Sequence, residues 1–222
     1  MKIAVLGGTF NPIHMAHLAV ADEVCTSLGY DRVLFVPSNI PPHKQMNCSV
    51  TTEDRVRMVQ RACDADPRFQ CEPCEVERGG ISYTYDTICF LEKKYAHVLE
   101  GKLGLIMGRD QAAGFHLWHR AHDIARMVDL VLVERPVMTE PASCSVGNVP
   151  TGDYASITGD SLREFNASDD PLLKGARVLS NALLPVSSTD IRERASEGRA
   201  FRYLVPPAVF EYIMGGNLYG QH

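Results

Sequence analysis

Two histidines follow a glycine-rich turn in the segment GGTFNPIHMAHL, near the start of the chain. His14 and His17 are three positions apart, so on a helix they share one face and can donate hydrogen bonds to one cluster of phosphate oxygens. The turn before them contains Gly8, Thr9 and Phe10, whose backbone N–H groups can approach the same phosphates. The segment therefore predicts a phosphate-binding turn. A metal site on the two histidines is the alternative, but no nearby carboxylate completes a set of ligands.

A second segment suited to phosphates is SSTDIR, close to the C-terminal end of the sequence. Ser187 or Ser188 can cap a helix that begins near Thr189, which leaves the N–H groups of its first turn facing a ligand. Arg192, one turn further on, has the planar guanidinium that suits the β- and γ-phosphates of a nucleotide. Taken alone, the segment also fits an ordinary capped helix at the surface.

Polar and aromatic residues between these two segments could bind the rest of a nucleotide. Asp110 follows an apolar run, where its carboxylate could accept hydrogen bonds from ribose hydroxyls. Trp118, the one tryptophan, could stack on an aromatic ring or pack in the core. In the segment SYTYDT, Ser82 or Thr84 is predicted to cap a helix.

Short apolar runs alternate with segments of helical periodicity along the chain, and this pattern predicts the elements that position these residues. The predicted strands cover residues 2–6, 32–37, 69–77, 102–108, 127–135 and 176–186. The predicted helices cover 14–28, 84–96, 117–127, 187–198 and 206–213, with another that starts near a cap at Thr52. Pro73 interrupts the strand 69–77 and favours an edge position for it.

Such alternation predicts an α/β fold with a doubly wound, mostly parallel sheet and helices on both faces. Ligands of such sheets bind outside the carboxyl ends of the strands, which is where the glycine-rich turn falls. The 222 residues suit a single domain, residues 1–222, in which residues 185–222 form a small C-terminal helical part. Residues 136–176 lack periodicity, so they are predicted to be either a solvated surface loop or a lid or contact surface.

Composition narrows the class of protein. The net charge of −5 argues against a general nucleic-acid binder, but not against a small anionic ligand. The sequence has neither a run of about 18 apolar residues nor a signal-peptide pattern, so we predict a cytoplasmic protein without a membrane partner. Seven cysteines indicate reduced thiols. For Cys71 and Cys74, ordinary thiols and a structural zinc site are the alternatives.

GGTFNPIHMAHL closely resembles the signature GGTF(D/N)PxHxGH of the HxGH-type nucleotidyltransferases, and SSTDIR is similar to their ISSTxIR motif. Ala16 stands where the family usually has glycine, and Asn11 where aspartate is commoner. This resemblance implies a Rossmann-like fold. It also implies an ATP site that includes Gly8, Thr9, Phe10, His14, His17, Ser188, Thr189 and Arg192.

Three inner segments resemble those of the bacterial-type nicotinate mononucleotide adenylyltransferases within this superfamily: VPSNIPPHK, RGGISYTYDTICFL and LIMGRDQAAGFHLWHRAHDI. The first implies that His43 and Lys44 reach the polyphosphate of ATP. The other two imply that nicotinate mononucleotide is bound by Thr84, Gly108, Asp110, Trp118 and His119. In the family, the backbone at Thr84 receives the pyridine carboxylate, and His119 stands where tyrosine is frequent.

The resemblance implies transfer of the adenylyl group of ATP to nicotinate mononucleotide, which gives deamido-NAD and pyrophosphate. The implied catalytic residues are His14, His17, Lys44 and Arg192, which would offset charge on the phosphates. Mg²⁺ is expected to arrive with ATP rather than at a metal site of the protein. Nicotinamide mononucleotide or phosphopantetheine as acceptor, and a nucleotide-binding regulator without turnover, are the alternatives. A homo-oligomer is left open.

Overall fold

The computed structural model describes residues 1–39, 50–134 and 169–220. Six strands lie within these ranges: β1 (Ile3–Gly8), β2 (Arg32–Pro37), β3 (Phe69–Cys71), β4 (Gly104–Gly108), β5 (Asp129–Val133) and β6 (Arg177–Leu179). They form one parallel sheet in the order β3-β2-β1-β4-β5-β6. The strand order reverses between β1 and β4. Doubly wound folds bind their ligands at such a point, outside the carboxyl ends of the strands. The predicted fold class is confirmed.

Helices cover both faces of this sheet. The described helices are α1 (Met15–Leu28), α2 (Thr52–Cys63), α3 (Cys74–Arg78), α4 (Thr84–Tyr95), α5 (Arg109–Ala113), α6 (Ala121–Met127), α7 (Ser188–Ser196) and α8 (Pro207–Gly215). Side chains of β1 alternate between the two faces, as in any strand. Ala4 and Leu6 pack in one apolar cluster with α1, α2, α7 and α8. Ile3 and Val5 pack in a second cluster with α4 and α6.

Local signals in the sequence set the ends of the helices near the site. Helix α1 ends where Gly29 adopts a left-handed conformation, at a φ of 69°. Helix α2 begins with a capping box: the Thr51 hydroxyl accepts a hydrogen bond from the Asp54 N–H, and the Asp54 carboxylate accepts one from the Thr51 N–H. The predicted cap at Thr52 is therefore wrong by one residue, because Thr51 makes both bonds.

Two predicted strands are less than half as long as expected, whereas β4 and β5 are shorter by only a few residues. The strand predicted at 69–77 ends at Cys71, because Pro73 sets the N-cap of α3, and β3 lies at the predicted edge of the sheet. The strand predicted at 176–186 ends at Leu179. The side-chain amide of Asn181 bonds both the N–H and the carbonyl of Glu134 beyond the end of β5, and so replaces the backbone ladder there.

The predicted helix 117–127 is also divided. A single 3-10 turn covers Phe115–Leu117, and α6 starts only after Arg120, whose φ of 59° breaks the helical path. Most of the predicted loop 136–176 falls on residues 135–168, outside the described residues. Among the helices that the structure describes, none is long and apolar enough to cross a membrane.

Candidate active site

The residues between β1 and α1 form a turn at the carboxyl end of β1. Phe10 has a left-handed backbone (φ 48°), and its buried ring packs on Phe35 at a centroid distance of 5.9 Å. A Cβ on Gly8 would lie 3.0 Å from the Phe10 ring, so this position favours glycine. The anchored ring fixes the backbone of Gly8, Thr9 and Phe10 where the sequence predicts phosphate binding.

His14 and His17 lie together at the start of α1, as predicted. His14 is the N-cap residue, and its backbone N–H donates to Nδ1 of His17 at 3.2 Å. The two rings stack with their centroids 3.8 Å apart. Because Nδ1 of His17 accepts a hydrogen bond, the proton of the neutral ring is on Nε2, which makes Nε2 a donor. This arrangement suits hydrogen bonding to a phosphate.

The SSTDIR segment is bonded directly to this turn. The Ser187 hydroxyl caps α7 by accepting the N–H of Asp190 at 3.1 Å, so the helix starts at Ser188, one residue before the predicted Thr189. The Ser188 hydroxyl donates to the carbonyl of Pro12 at 2.9 Å. Arg192 donates through Nη1 to the carbonyl of Asn11 at 2.8 Å, and through Nη2 to the Thr189 hydroxyl at 3.1 Å. The two predicted phosphate-binding segments therefore meet.

Tyr219 is a further part of this junction that the sequence did not reveal. Its hydroxyl donates to Oδ1 of Asn11 at 2.6 Å, and both side chains are buried. Helix α8 and the turn after it bring Tyr219 back to the start of the chain. The segment from Met214 to Gly220 has no motif, and contact with Asn11 follows only from the tertiary fold.

Thr84 is the first residue of α4, where backbone N–H groups have no acceptor within the helix. Tyr83 occupies the N-cap, and neither Ser82 nor Thr84 caps the helix with its side chain, contrary to the prediction. The Ser82 hydroxyl instead accepts the N–H of Asn39, at 3.4 Å, and bonds with Glu75. The start of α4 is thus tied to the residues that follow β2.

The segment that follows β4 lies next to the start of α4. Gly108 ends β4, and Asp110 is exposed in the first turn of α5. Trp118 is half-buried, with its ring edge-on to Phe115. The His119 ring lies 4.7 Å from the ring of Tyr83, measured between centroids. The predicted contacts to the pyridine nucleotide are therefore on two neighbouring segments.

Aromatic residues beside Thr84 were also missed. Tyr83 contacts His119, and the guanidinium of Arg120 lies 3.9 Å from the centroid of the Tyr85 ring. The two tyrosines on either side of Thr84 are the sequence signal that could have indicated an aromatic surface. A buried arginine, Arg55, was missed as well.

Some predictions concern other parts of the chain. His43 and Lys44 lie outside the described residues, so their roles stay predictions. Burial raises the pKa of the Cys71 and Cys74 thiols to about 12, and both are free thiols. Within residues 1–39, 50–134 and 169–220, no group of three His, Cys, Asp or Glu side chains is placed to hold a metal ion.

Comparison with known proteins identifies the family. A family model described as cytidylyltransferase-like matches residues 5–194. A protein of Treponema pallidum named probable nicotinate-nucleotide adenylyltransferase is 40% identical over 219 residues, 99% of each protein. The chain belongs to the nicotinate-nucleotide adenylyltransferase family. Another protein of this family, from Trichlorobacter lovleyi, is 37% identical over 221 residues, also 99% of each. The family predicted from the motifs is confirmed.

Solved structures of nicotinate-nucleotide adenylyltransferases have the same fold. Plasmodium falciparum nicotinic acid mononucleotide adenylyltransferase complexed with NaAD matches with a TM-score of 0.68 and 14% identity, over 98% of this chain and 97% of the other. A putative nicotinate-nucleotide adenylyltransferase of Vibrio parahaemolyticus matches with a TM-score of 0.62 and 18% identity, over 100% and 98%. These matches support the Rossmann-like architecture.

Proposed function

We propose that this chain transfers the adenylyl group of ATP to nicotinate mononucleotide, which gives deamido-NAD and pyrophosphate. The observation that carries the proposal is the junction at the end of β1, where Arg192 and Ser188 bond to the carbonyls of Asn11 and Pro12. This junction joins the two segments that are predicted to bind phosphate, next to the carboxyl end of β1. The family's name states the same reaction, and the relatives are 32–40% identical over nearly the whole chain.

In this reaction, an oxygen of the 5′-phosphate of nicotinate mononucleotide attacks the α-phosphorus of ATP. The new P–O bond forms as the bond between the α-phosphorus and the bridging oxygen breaks, and pyrophosphate leaves with that bonding pair. The attacking phosphate is already an anion, so no residue has to remove a proton from it. The protein must hold both nucleotides in line and stabilise the charge that develops on pyrophosphate.

The phosphate side of the site is assigned to the first and last segments. We assign the phosphates to the N–H groups of Thr9 and Phe10, and His14 and His17 donate to their oxygens in the transition state. Gly8 is the last residue of β1 and pairs with Pro37, so its N–H belongs to the ladder with β2 and it contributes by leaving room for the Phe10 ring. Ser188, Thr189 and Arg192 bind the β- and γ-phosphates. A guanidinium has five N–H donors, so Arg192 can keep its bonds to Asn11 and Thr189 while others meet a phosphate.

The pyridine nucleotide is assigned to the segments at α4 and β4. The N–H groups at Thr84 would receive the pyridine carboxylate, because a helix start favours an anion. Gly108 and Asp110 would bind the ribose, and Trp118 and His119 would hold the pyridine ring by stacking. The contact between Tyr83 and His119 supports this assignment, since it places the two segments side by side.

The remaining assignments rest on the sequence. His43 and Lys44 would bind the polyphosphate of ATP. Mg²⁺ would arrive bound to ATP, whose phosphate oxygens are the ligands it prefers, and would offset their negative charge. We also retain the cytoplasm as the predicted location, and a homo-oligomer stays open.

Pyrophosphate release tests the proposal. The protein is incubated with ATP and Mg²⁺ together with nicotinate mononucleotide, nicotinamide mononucleotide or phosphopantetheine in parallel. We expect a strong preference for nicotinate mononucleotide. Equal use of both pyridine nucleotides would keep adenylyl transfer but contradict recognition of the carboxylate at Thr84. A folded protein that binds ATP but uses none of the three acceptors would favour the alternative of a nucleotide-binding regulator without turnover.

A further inference from the structure

Arg55, in the first turns of α2, is a charged residue with a fully buried side chain. Its Nη1 donates to the carbonyls of Thr9 and Ser38, both at 2.8 Å. Its Nη2 donates to the carbonyl of Asn39 at 3.3 Å and to the Thr52 hydroxyl at 3.2 Å. Arginine is rarely buried completely, so these bonds to backbone carbonyls explain how the charge is accommodated.

The carbonyls that Arg55 binds belong to two different loops. Thr9 is in the turn between β1 and α1, residues 9–14, which is assigned to phosphate binding and is called the phosphate turn. Ser38 and Asn39 follow β2. The loops also meet directly, through the bond from the Ser38 N–H to the Gly8 carbonyl at 2.9 Å. Arg55 therefore fixes the turn after β1 against the residues after β2.

Asn39 extends this connection to the start of α4. Its side-chain amide donates to the carbonyl of Gly80 at 3.0 Å, and its backbone N–H donates to the Ser82 hydroxyl. These two residues are in the loop that leads into Thr84. A continuous path of hydrogen bonds thus runs from the phosphate turn, through Arg55 and Asn39, to the turn assigned to the pyridine carboxylate.

The shape of a guanidinium suits this role. Its donors diverge in one plane, so it can bond to several carbonyls on different segments at once. The hydroxyl of Thr52 and the capping box of Thr51 and Asp54 fix the start of α2, and so fix the direction of the arginine. A lysine keeps the charge, but its single nitrogen atom cannot donate to carbonyls on both loops as the two terminal nitrogens of the guanidinium do.

We infer that Arg55 is a positioning residue that sets the distance between the phosphate turn and the start of α4, the two segments assigned to ATP and to the pyridine nucleotide. The inference rests on the proposed function. Each turn binds its own nucleotide, but transfer requires the attacking oxygen and the α-phosphorus to be aligned. A misplacement of about 1 Å can lower a rate about 10²-fold. Loss of Arg55 should therefore impair steps that need both turns more than binding at either one.

Binding of deamido-NAD tests this directly, because the product occupies both turns within one molecule. Calorimetric titrations compare Arg55→Lys with the wild type for ATP, nicotinate mononucleotide and deamido-NAD. We expect the Kd of deamido-NAD to rise at least about tenfold and kcat to fall about 10²-fold, while the Kd of each substrate stays within about threefold. The titration stoichiometry gives the fraction of folded, binding-competent protein, to which kcat is normalised.

Two further variants complete the test. Asn39→Ala removes one of the two bonds from Asn39 to the loop before Thr84, at a half-buried residue and without removing a buried charge. It should weaken binding of deamido-NAD in the same direction, by a smaller factor, even if Arg55→Lys fails to fold. Arg57→Lys is the matched control, because Arg57 is on the same helix with an exposed side chain paired to Glu53. It should leave all three Kd values and kcat unchanged.

The outcomes separate the inference from the proposed function. A wild-type protein that neither binds nor forms deamido-NAD contradicts the proposed function. An active wild type whose Asn39→Ala and folded Arg55→Lys variants lose affinity equally for ATP, nicotinate mononucleotide and deamido-NAD, or lose none, overturns the inference. The inference is supported if the variants lose affinity for deamido-NAD, which spans both turns, and keep their affinity for ATP and nicotinate mononucleotide.

Discussion

At the scale of single residues, the site depends on side chains whose hydrogen-bond partners fix their orientation. The backbone N–H of His14 determines which nitrogen of His17 is the donor. The ring of His17 is also held edge-on against the buried ring of Phe10, at a centroid distance of 5.1 Å. A donor that is already oriented needs little rearrangement when charge develops on the phosphates.

We expect His17→Ala to lower kcat by about 10²- to 10³-fold, which corresponds to about 3 kcal/mol of transition-state stabilisation. Steady-state pyrophosphate release measures the effect. His97→Ala is the control, since His97 is exposed in the turn after α4 and should leave kcat unchanged. If kcat of His17→Ala stayed within about threefold of the wild type, the assigned role of His17 would be wrong.

Residue types alone indicate a phosphate-binding turn between β1 and α1, but not what supports that turn. The spacing of His14 and His17, and the serines before Arg192, indicate phosphate binding because each type has the required donors. Arg55 could not be predicted, because arginine in a segment such as TTEDRVRM usually lies on a solvated helix face. Its burial depends on carbonyls of residues far from it in the sequence.

At the scale of elements, the loop before α4 is held by a buried carboxylate. Glu75, in α3, accepts a hydrogen bond from the hydroxyl of Thr87, in α4, at 2.7 Å. Burial raises the pKa of Glu75 above its usual 4.5, and its hydrogen bonds with Thr87 and Ser82 act in the opposite direction. The carboxyl group of Glu75 therefore holds its proton more tightly in the folded protein than in the unfolded chain.

The sign of the pH dependence follows from that shift. Because the pKa of Glu75 is raised on folding, ionisation of Glu75 lowers the free energy of unfolding of the wild type as pH rises from about 4.5 through the pKa of the folded state. Urea unfolding at several pH values should therefore show Glu75→Gln gaining stability relative to the wild type across this window, then levelling off. Glu77→Gln, at an exposed position of the same helix, should show no such trend. A difference between Glu75→Gln and wild type that is constant with pH would contradict the assignment.

The strands that position the site were the most predictable elements. β1, β2 and β4 are continuous apolar runs, as expected for strands with helices on both faces. The strand predicted at 176–186 was wrong beyond Leu179, because the side chain of Asn181 ends the pairing. A hydrophobic pattern cannot reveal an amide that replaces a backbone partner.

At the scale of the whole molecule, the site joins both ends of the described chain. Tyr219 bonds to Asn11 across 208 positions, and Arg192 bonds to the same residue across 181. The backbone N–H of Met15 also donates to the carbonyl of Leu204 at 3.0 Å. The start of α1 is therefore held by residues that come after the sheet is complete.

Tyr219→Phe should lower the free energy of unfolding by about 1 kcal/mol, the usual net contribution of a hydrogen bond. It should also lower kcat, since Asn11 belongs to the phosphate turn. Chemical denaturation and pyrophosphate release measure the two effects. Tyr203→Phe, at a tyrosine that is 88% exposed, is the matched control and should change stability by less than about 0.5 kcal/mol. Equal stability and activity of both variants would show that the Tyr219 hydroxyl is dispensable.

The bonds of Asn11 also constrain the order of events during synthesis. The phosphate turn leaves the ribosome early, whereas Arg192 and Tyr219 follow some 180 and 208 residues later. Chains tend to fold from the N-terminus as they emerge, so β1, β2 and β4 can pair before these partners exist. The nascent protein would then hold a nearly complete sheet with an unfinished nucleotide site. Competence to bind ATP would be acquired only as the last helices are released.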